Sequence, residues 1–183
     1  MCNVLTTERL ILRQWNDQDR DAFAAINNDP TVMRYFPRYF SRAESDSFVD
    51  ANIEHIDEHG WGSWAVERKD TQEFIGFVGF SEPASWHPCA GRIEIGWRLA
   101  KAHWGQGHAS EAAKCALSLG FSRFNFPEII SFTSLCNLPS IAVMKKIGMK
   151  ATSEIFEHPR IAQDHELCKH VVYRINQAEA ATN

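Results

Sequence analysis

The residues best placed to do chemistry lie in a short turn rich in small side chains. Residues 104–111 read Trp-Gly-Gln-Gly-His-Ala-Ser-Glu, between a strand-like and a helix-like stretch. The first amides of a helix have no intrahelical acceptor, and the helix dipole adds partial positive charge there. Glycine at 105 and 107 and alanine at 109 would leave those amides open to a phosphate group. The turn therefore predicts an anion-binding site.

Two nucleotide-binding patterns fit this turn poorly. A dinucleotide fingerprint, Gly-x-Gly-x-x-Gly, would need glycine where the chain has Ser110. Its ribose-binding acid should follow the next strand, whereas Glu128 stands at that strand's beginning. A nucleoside-triphosphate loop, Gly-x-x-x-x-Gly-Lys-Ser/Thr, is absent from the sequence. The turn therefore favours a phosphate ligand of another kind.

A second turn, Asn137-Leu-Pro-Ser140, precedes an apolar-periodic run that ends at Gly148-Met149. Asparagine is a favoured helix cap and proline fits the first helical turn, so a helix start alone explains this pattern. A cap at a strand–helix junction also faces the crevice where α/β proteins bind ligands. Both interpretations stay open at this point.

The order strand, Trp-Gly-Gln-Gly-His-Ala, helix, strand, Asn-x-x-Ser, helix, Gly-Met resembles the GCN5-related N-acetyltransferases (GNAT). The closest resemblance is to their ribosomal-protein N-acetyltransferase-like (RimJ/RimL-like) branch. Residues 5–13 resemble its opening strand, 94–97 the strand before the turn and 170–174 its closing strand. The superfamily has Arg or Gln where this chain has Trp104, a substitution that is usual in this branch.

The resemblance implies an α/β fold of one domain, with a mixed, mostly antiparallel central sheet flanked by helices on both faces. The N-acetyltransferase domain would span residues 1–177, followed by a frayed tail over 178–183. The chain would be an acyltransferase that moves acetyl from acetyl-CoA to an amine by direct attack, without a metal.

The same resemblance assigns cofactor contacts. It places the backbone amides of residues 106–110 on the coenzyme A pyrophosphate and the pantetheine arm along the backbone of residues 97–99. The implied cofactor-binding residues are Trp97, Arg98, Leu99, Trp104, Gly105, Gln106, Gly107, His108, Ala109, Ser110, Asn137 and Ser140.

Catalytic roles follow from the resemblance too. Glu94 would accept the amine's proton; the alternative is a surface carboxylate that alternates with inward isoleucines. The helix after Asn137 contains no tyrosine, so Ser140, directly or through water, is the group left to serve the departing thiolate. The acceptor would contact Tyr35, Phe36 and Trp86, which lie in the two least readable segments.

The acceptor's own acidity bears on its identity. Neutralising a lysine-like amine at pH 7 costs about 4.6 kcal/mol, and an α-amine only about 1.2 kcal/mol. A single carboxylate base therefore favours a peptide N-terminus or a small α-amine. The resemblance also implies polyamines, antibiotics and amino-acid-like compounds as possible acceptor classes.

Two other functions compete with acetyl transfer. His55-Ile-Asp-Glu58-His59 fits the His-x-x-Glu-His pattern of zinc hydrolases. No third ligand cluster is evident in the sequence, and the helix should end at Gly60. A coenzyme A-binding module without catalysis is the other alternative, and it would lack a base and an open acceptor cleft.

Composition sets outer bounds on function. A chain of 183 residues suffices for one domain with a core. A net charge of −4 with interspersed signs argues against nucleic acid or an anionic membrane as partner. Five scattered cysteines without a Cys-x-x-Cys pair favour free thiols in a reducing cytoplasm. No signal segment or membrane-length apolar run is present, so we expect a cytoplasmic monomer or homodimer.

Periodicity predicts the elements that position these residues. Ser41–Glu44 forms a capping-box pattern, and Pro30 should stop the first helix. In the strand over 73–81, Phe74, Val78 and Phe80 point one way and Ile75 and Phe77 the other, so the strand is buried on both faces. The predicted strands are 9–13, 63–68, 73–81, 92–99, 128–135, 150–157 and 167–175, and the helices 17–28, 41–60, 110–124 and 138–147.

Overall fold

The computed structural model describes residues 4–180. Its strands are β1 (Leu5–Thr6), β2 (Leu10–Arg13), β3 (Ser63–Arg68), β4 (Phe74–Ser81), β5 (Ile93–Leu99), β6 (Glu128–Ser134), β7 (Lys150–Glu157) and β8 (Lys169–Asn176). Its helices are α1 (Asp19–Asn28), α2 (Pro30–Met33), α3 (Arg42–His59), α4 (His108–Ser122), α5 (Leu138–Lys146) and α6 (Gln177–Ala180), with a 3-10 turn at Lys101–His103. Within residues 4–180, no helix has the length and apolarity to cross a membrane.

Helix ends follow the capping chemistry of the sequence. Ser41 and Glu44 form both hydrogen bonds of a capping box at the start of α3, and Gly60 ends that helix with φ +77°. The side chain of Asp29 caps α2, so Pro30 both ends α1 and begins the next helix. Helix α4 begins at His108, two residues before the predicted start.

The described residues fall into two compact parts, one within Met1–Phe80 and Gly96–Ala116, the other within Ser81–Ile95 and Leu117–Asn183. In the first part, β1 to β4 pair in chain order through antiparallel ladders. The predicted strand over 9–13 is confirmed as β2, whereas the longer stretch 5–13, which resembles one opening strand, contains a reversal. The chain reverses after Thr6, where the Thr7 amide donates to the Leu10 carbonyl, and two short strands result.

The predicted facing of β4 is also wrong at one position. Phe74 and Phe77 both pack against Trp15, with ring centroids 5.5 Å and 6.5 Å away, although alternation puts them on opposite faces. The cause is a register shift opposite Val66 and Glu67, which skips one residue and reverses the alternation. Gly76 has φ +133° there, and a Cβ on it would lie 2.1 Å from the Arg98 carbonyl oxygen.

In the second part, the strand order is β5, β6, β8, β7. Strand β6 pairs parallel to β5 at Ile93 and Glu94, and both ladders of β8 are antiparallel. Cys89, Ile130 and Val172 form a buried cluster beneath two partly buried phenylalanines. The prediction of an α/β fold with a mixed, mostly antiparallel sheet is confirmed.

The C-terminal segment differs from the predicted frayed tail. Residues 177–180 form α6, and Glu179 accepts from Lys150 Nζ at 2.8 Å and from the amide of Asn176 at 3.2 Å. Residues 181–183 lie outside the described range. The assignment of residues 1–177 to one catalytic domain stays a prediction.

Candidate active site

The predicted anion site is a turn between the 3-10 segment and α4. Gly105 and Gly107 have φ +74° and +84°, values that glycine adopts without strain. A Cβ on Gly105 would meet no atom within 4 Å, so the turn borders open space. As the first residues of α4, His108, Ala109 and Ser110 have no preceding helical turn to accept from their amides. This geometry suits a phosphate group.

Trp104 holds the front of this turn in place. Its indole Nε1 donates to the Leu99 carbonyl at 2.8 Å, and its ring packs against the cluster of Ile26, Val32 and Met33. Lys101 Nζ lies 4.7 Å from the centre of the ring. The structure thus gives Trp104, predicted to contact the cofactor, an anchoring role that the sequence did not indicate.

Glu111 and Arg9 hold the back of the turn. The Glu111 carboxylate accepts from Thr7 Oγ1 at 2.5 Å, from the Arg9 amide at 2.9 Å and from Arg9 Nε at 2.7 Å. Arg9 also donates to the Gln106 carbonyl at 3.0 Å. Burial by itself raises the pKa of Glu111, but these hydrogen bonds outweigh it and the net pKa is lowered.

His108, the first residue of α4, adjoins the turn. It is buried, and its Nδ1 has no hydrogen-bond partner within residues 4–180. Burial, then the nearby Arg9 and His103, lower its pKa. A cavity of about 170 Å³ adjoins it. Two of its three Lys and Arg side chains have acid partners, Arg9 with Glu111 and Arg68 with Asp70, and the third, Lys69, donates to the Thr7 carbonyl.

Glu94, the predicted base, lies near the start of β5. Its Oε2 accepts from Ser81 Oγ at 3.3 Å, and the residue is half-buried. Although some of its surface stays open, protein atoms crowd the carboxylate, and burial raises its pKa to about 8 against a small lowering by Ser81. The parallel ladder to β6 ends at Glu94, so the peptide groups of Trp97 to Leu99 lie beyond it.

Arg98 was predicted to contact the cofactor along its backbone, but its side chain is the more unusual feature. The residue is 8% exposed, and its NH1 donates to Asn27 Oδ1 at 2.5 Å. The guanidinium carbon lies 4.3 Å and 4.8 Å from the ring centres of Phe36 and Phe40. Burial lowers its pKa to about 10. Strand alternation could have indicated this side chain from the sequence, because residues four apart on a strand, such as Glu94 and Arg98, belong to the same alternating set.

The second predicted turn serves α5 in the structure. Asn137 is buried; its Oδ1 accepts from the Ser140 amide at 3.3 Å and its Nδ2 donates to Thr133 Oγ1 at 2.8 Å. The capping interpretation of Asn137 is therefore confirmed, and a cofactor contact would use its remaining oxygen lone pair. Ser140 is half-buried in the first turn of α5.

The predicted acceptor contacts fall in different surroundings. Tyr35 is half-buried beneath Arg34, whose guanidinium lies 4.4 Å from the ring centre and donates to the hydroxyl. Phe36 packs against Arg98. Trp86 is 44% exposed, with the guanidinium of Arg160 3.9 Å from its ring centre.

A histidine cluster that sequence reasoning missed adjoins Trp86. His87 stacks on Phe132 with ring centroids 4.5 Å apart, and His158 lies 5.7 Å from His87 and 5.1 Å from His170. Burial lowers the pKa of all three, that of His170 to about 4. These imidazoles are therefore neutral at pH 7, and the sequence separation of the three histidines gave no signal of their meeting.

The structure gives the zinc-hydrolase alternative no support. The rings of His55 and His59 lie 4.4 Å apart and pack on Trp61. Among residues 4–180, no group of three histidine, cysteine or acidic side chains is arranged to share a metal ion.

Comparison with known proteins fits this geometry. The Acetyltransferase (GNAT) domain family matches residues 9–150. The uncharacterized N-acetyltransferase YoaA of Bacillus subtilis (strain 168) is 35% identical over 82% of this chain and 84% of its own length. An acetyltransferase of the GNAT family from Bacillus anthracis superposes with a TM-score of 0.79 at 28% identity, covering 96% of this chain and 99% of that one. The chain belongs to the GNAT acetyltransferase family.

A further neighbour shares the fold. The ribosomal L7/L12 α-N-protein acetyltransferase RimL superposes with a TM-score of 0.77 at 16% identity, covering 96% of this chain and 95% of that one. At this identity the likeness shows a shared fold. The family assignment makes the protein an acyltransferase, in agreement with the sequence-based prediction.

Proposed function

We propose that this enzyme transfers acetyl from acetyl-CoA to an α-amine, with Glu94 as the proton acceptor. The observation that carries the proposal is the Glu94 carboxylate, which is crowded by protein and has a pKa raised to about 8. A free α-amine has a pKa near 7.8, so a proton passes between the two groups with little change in free energy. Lysine, with a pKa near 10.4, fits this base less well.

The turn before α4 fits the other substrate. Its open side at Gly105 and the first amides of α4, which have no intrahelical acceptor, suit the pyrophosphate of acetyl-CoA. Residues 106–110 would hold that group through backbone atoms. The link from Trp104 to the Leu99 carbonyl and the link from Arg9 to the Gln106 carbonyl hold the turn in one shape beforehand.

The proposed reaction is a nucleophilic substitution at the thioester carbon. The amine nitrogen forms a bond to the acetyl carbon, and the carbon–sulfur bond of the thioester breaks. The proton leaves the nitrogen for a Glu94 carboxylate oxygen, while Ser81 donates its hydrogen bond to that carboxylate. The departing thiolate gains a proton from the Ser140 hydroxyl, directly or through water, as the resemblance implies, and Ser140 takes up a replacement proton from solvent.

An acceptor screen tests this proposal. The purified protein is incubated with acetyl-CoA and, in separate reactions, N-terminal peptides, amino acids, polyamines and aminoglycosides. Release of free thiol and the mass of the product are measured. We expect α-amine acceptors to be acetylated with the highest kcat/KM. Acetyl-CoA binding without turnover of any acceptor would instead favour a non-catalytic coenzyme A module, and a clear preference for polyamines would contradict the α-amine.

A further inference from the structure

Within residues 4–180, Arg98 is a buried cation without an anionic partner. It is 8% exposed, and no carboxylate of residues 4–180 forms an ion pair with it. Its Nε is buried and has no hydrogen-bond acceptor within those residues. Burial of a guanidinium is unfavourable unless the charge is paired and its donors are satisfied. Arg98 meets neither condition with protein groups.

The contacts that Arg98 does make offset this burial only in part. Its NH1 donates to the neutral amide oxygen of Asn27, which is itself fully buried and donates to Ser45 Oγ at 3.0 Å. The rings of Phe36 and Phe40 face the guanidinium and provide cation–π contacts. These neutral neighbours fix the orientation of the guanidinium fork and leave its positive charge uncompensated.

Open space borders Gly96 on the same strand. Alternation along β5 puts Gly96 and Arg98 on one face, and a Cβ added at Gly96 would meet no atom within 4 Å. Phe36, which stacks on Arg98, comes from the segment that the sequence assigned to acceptor binding.

We infer that Arg98 is the receptor for a carboxylate on the acceptor, so that the substrate is an amine that also bears a carboxylate group. The planar guanidinium suits a carboxylate because two of its N–H groups can donate side by side. The inference rests on the proposed function and narrows it. It favours amino-acid-like compounds and acidic peptides over polyamines and aminoglycosides, which lack a carboxylate.

Two matched pairs of acceptors test the inference. The first is a dipeptide with a free C-terminal carboxylate and the same dipeptide as its C-terminal amide. The second is glutamate α-amide and glutamine α-amide, which differ by one side-chain carboxylate. Binding is measured by titration without acetyl-CoA, and kcat/KM by thiol release. In at least one pair, we expect the wild type to bind the member with the carboxylate at least about tenfold more tightly than the member in which an amide replaces it. The kcat/KM of that carboxylate member should be higher by a similar factor.

Three variants locate the effect. Arg98→Met should abolish the preference, and Arg98→Lys should keep part of it because the charge remains without the fork. Arg20→Met is the matched control, since Arg20 already has acid partners in Asp17 and Asp50 and should keep the full preference. Acetyl-CoA affinity should stay within about threefold in all three.

Each other outcome is decisive. Equal binding of both members of both pairs by the wild type would overturn the inference, whether or not any variant folds. A preference that survives in Arg98→Met would also overturn it, and a selective loss of acetyl-CoA affinity in that variant would assign Arg98 to the cofactor. Binding preference without acetyl transfer would keep the carboxylate site and contradict the proposed function instead.

Discussion

Two carboxylates of this chain, Glu94 and Glu111, have opposite chemistry although both are partly buried. Glu111 accepts three hydrogen bonds from Thr7 and Arg9, and these lower its pKa despite burial. Glu94 accepts one, from Ser81, and burial raises its pKa to about 8. Glu111, with several hydrogen bonds, fixes structure, whereas Glu94, with one, exchanges its proton in the pH range in which an α-amine titrates.

Two arginines repeat this contrast. Arg13 pairs with Asp19 at 2.8 Å and with Glu67 at 2.7 Å, and its hydrogen bond to Asp19 is the main reason that its pKa is raised. Arg98 has a neutral amide and aromatic rings around it, and burial lowers its pKa. In each pair, the residue with fewer hydrogen-bond and ion-pair partners among the described residues, Glu94 or Arg98, is the one assigned to a substrate.

The largest effect should be a loss of acetyl-CoA binding on substitution in the turn that precedes α4. Gly105→Asp places a negative charge where a pyrophosphate is expected, and Gly105→Asn is its neutral match; both residues tolerate a positive φ. A like charge about 5 Å away weakens binding by roughly 3 kcal/mol, or about 100-fold. Acetyl-CoA should raise the melting temperature of the wild type and of Gly105→Asn, and leave that of Gly105→Asp unchanged. Equal shifts in all three proteins would remove the pyrophosphate from this turn.

A smaller effect, on stability and not on catalysis, should distinguish Glu111 from Glu94. Glu111→Gln loses charge-assisted hydrogen bonds worth about 2 kcal/mol, so the melting temperature at pH 7 should fall by about 4–8 °C. Because the folded pKa of Glu111 is lowered, this stability is present above its unfolded pKa and disappears as pH falls through the folded value. The difference from wild type should therefore shrink toward pH 3, while kcat at saturating acetyl-CoA stays within about twofold. A large loss of kcat with unchanged stability would reverse the roles of the two carboxylates.

The smallest effect should be a rise in melting temperature on substitution of Glu94, opposite in sign to the fall expected at Glu111. A carboxyl with a raised folded pKa gives stability that is present below its unfolded pKa and lost as pH rises to about 8. Glu94→Gln stays neutral, so its melting temperature should match wild type near pH 4.5 and exceed it by about 2–4 °C at pH 8.5. That shift corresponds to about 1 kcal/mol, discounted because the residue is partly exposed. Thermal unfolding at both pH values checks this, and a variant that melts lower at pH 8.5 would show that Glu94 is held by stabilising contacts.

Local signals were enough for most of the fold. Capping residues and periodicity placed α3, β3 and α5 within a residue or two, because these features depend on neighbours in the sequence. The facing of Phe74 could not be predicted, since it depends on a register shift against β3. The break after Thr6 depends on Thr7, whose side chain also bonds to Glu111 about a hundred residues away.

The candidate site was predictable in its positions and less so in its chemistry. The turn before α4 and Glu94 followed from resemblance, and the structure adds the raised pKa that suits a base. The sequence could not predict that Arg98 is buried among neutral groups, because Asn27 and the aromatic rings reach it only through tertiary packing. Burial and partner count come from tertiary packing, and these quantities separate Glu94 from Glu111.

The most direct test of the central claim is the pH dependence of kcat/KM for wild type and Glu94→Gln with the same α-amine. Ionisation of the amine affects both proteins equally, so the ratio of the two rates reports Glu94 alone. With a pKa of about 8, about one carboxyl in ten is ionised at pH 7 and about nine in ten at pH 9.

We predict a wild-type advantage of about 100-fold at pH 9, the lower end for a positioned base, falling to about tenfold at pH 7 and close to unity at pH 6. A ratio that is independent of pH, or that shrinks as pH rises, would contradict the assignment of Glu94 as the proton acceptor.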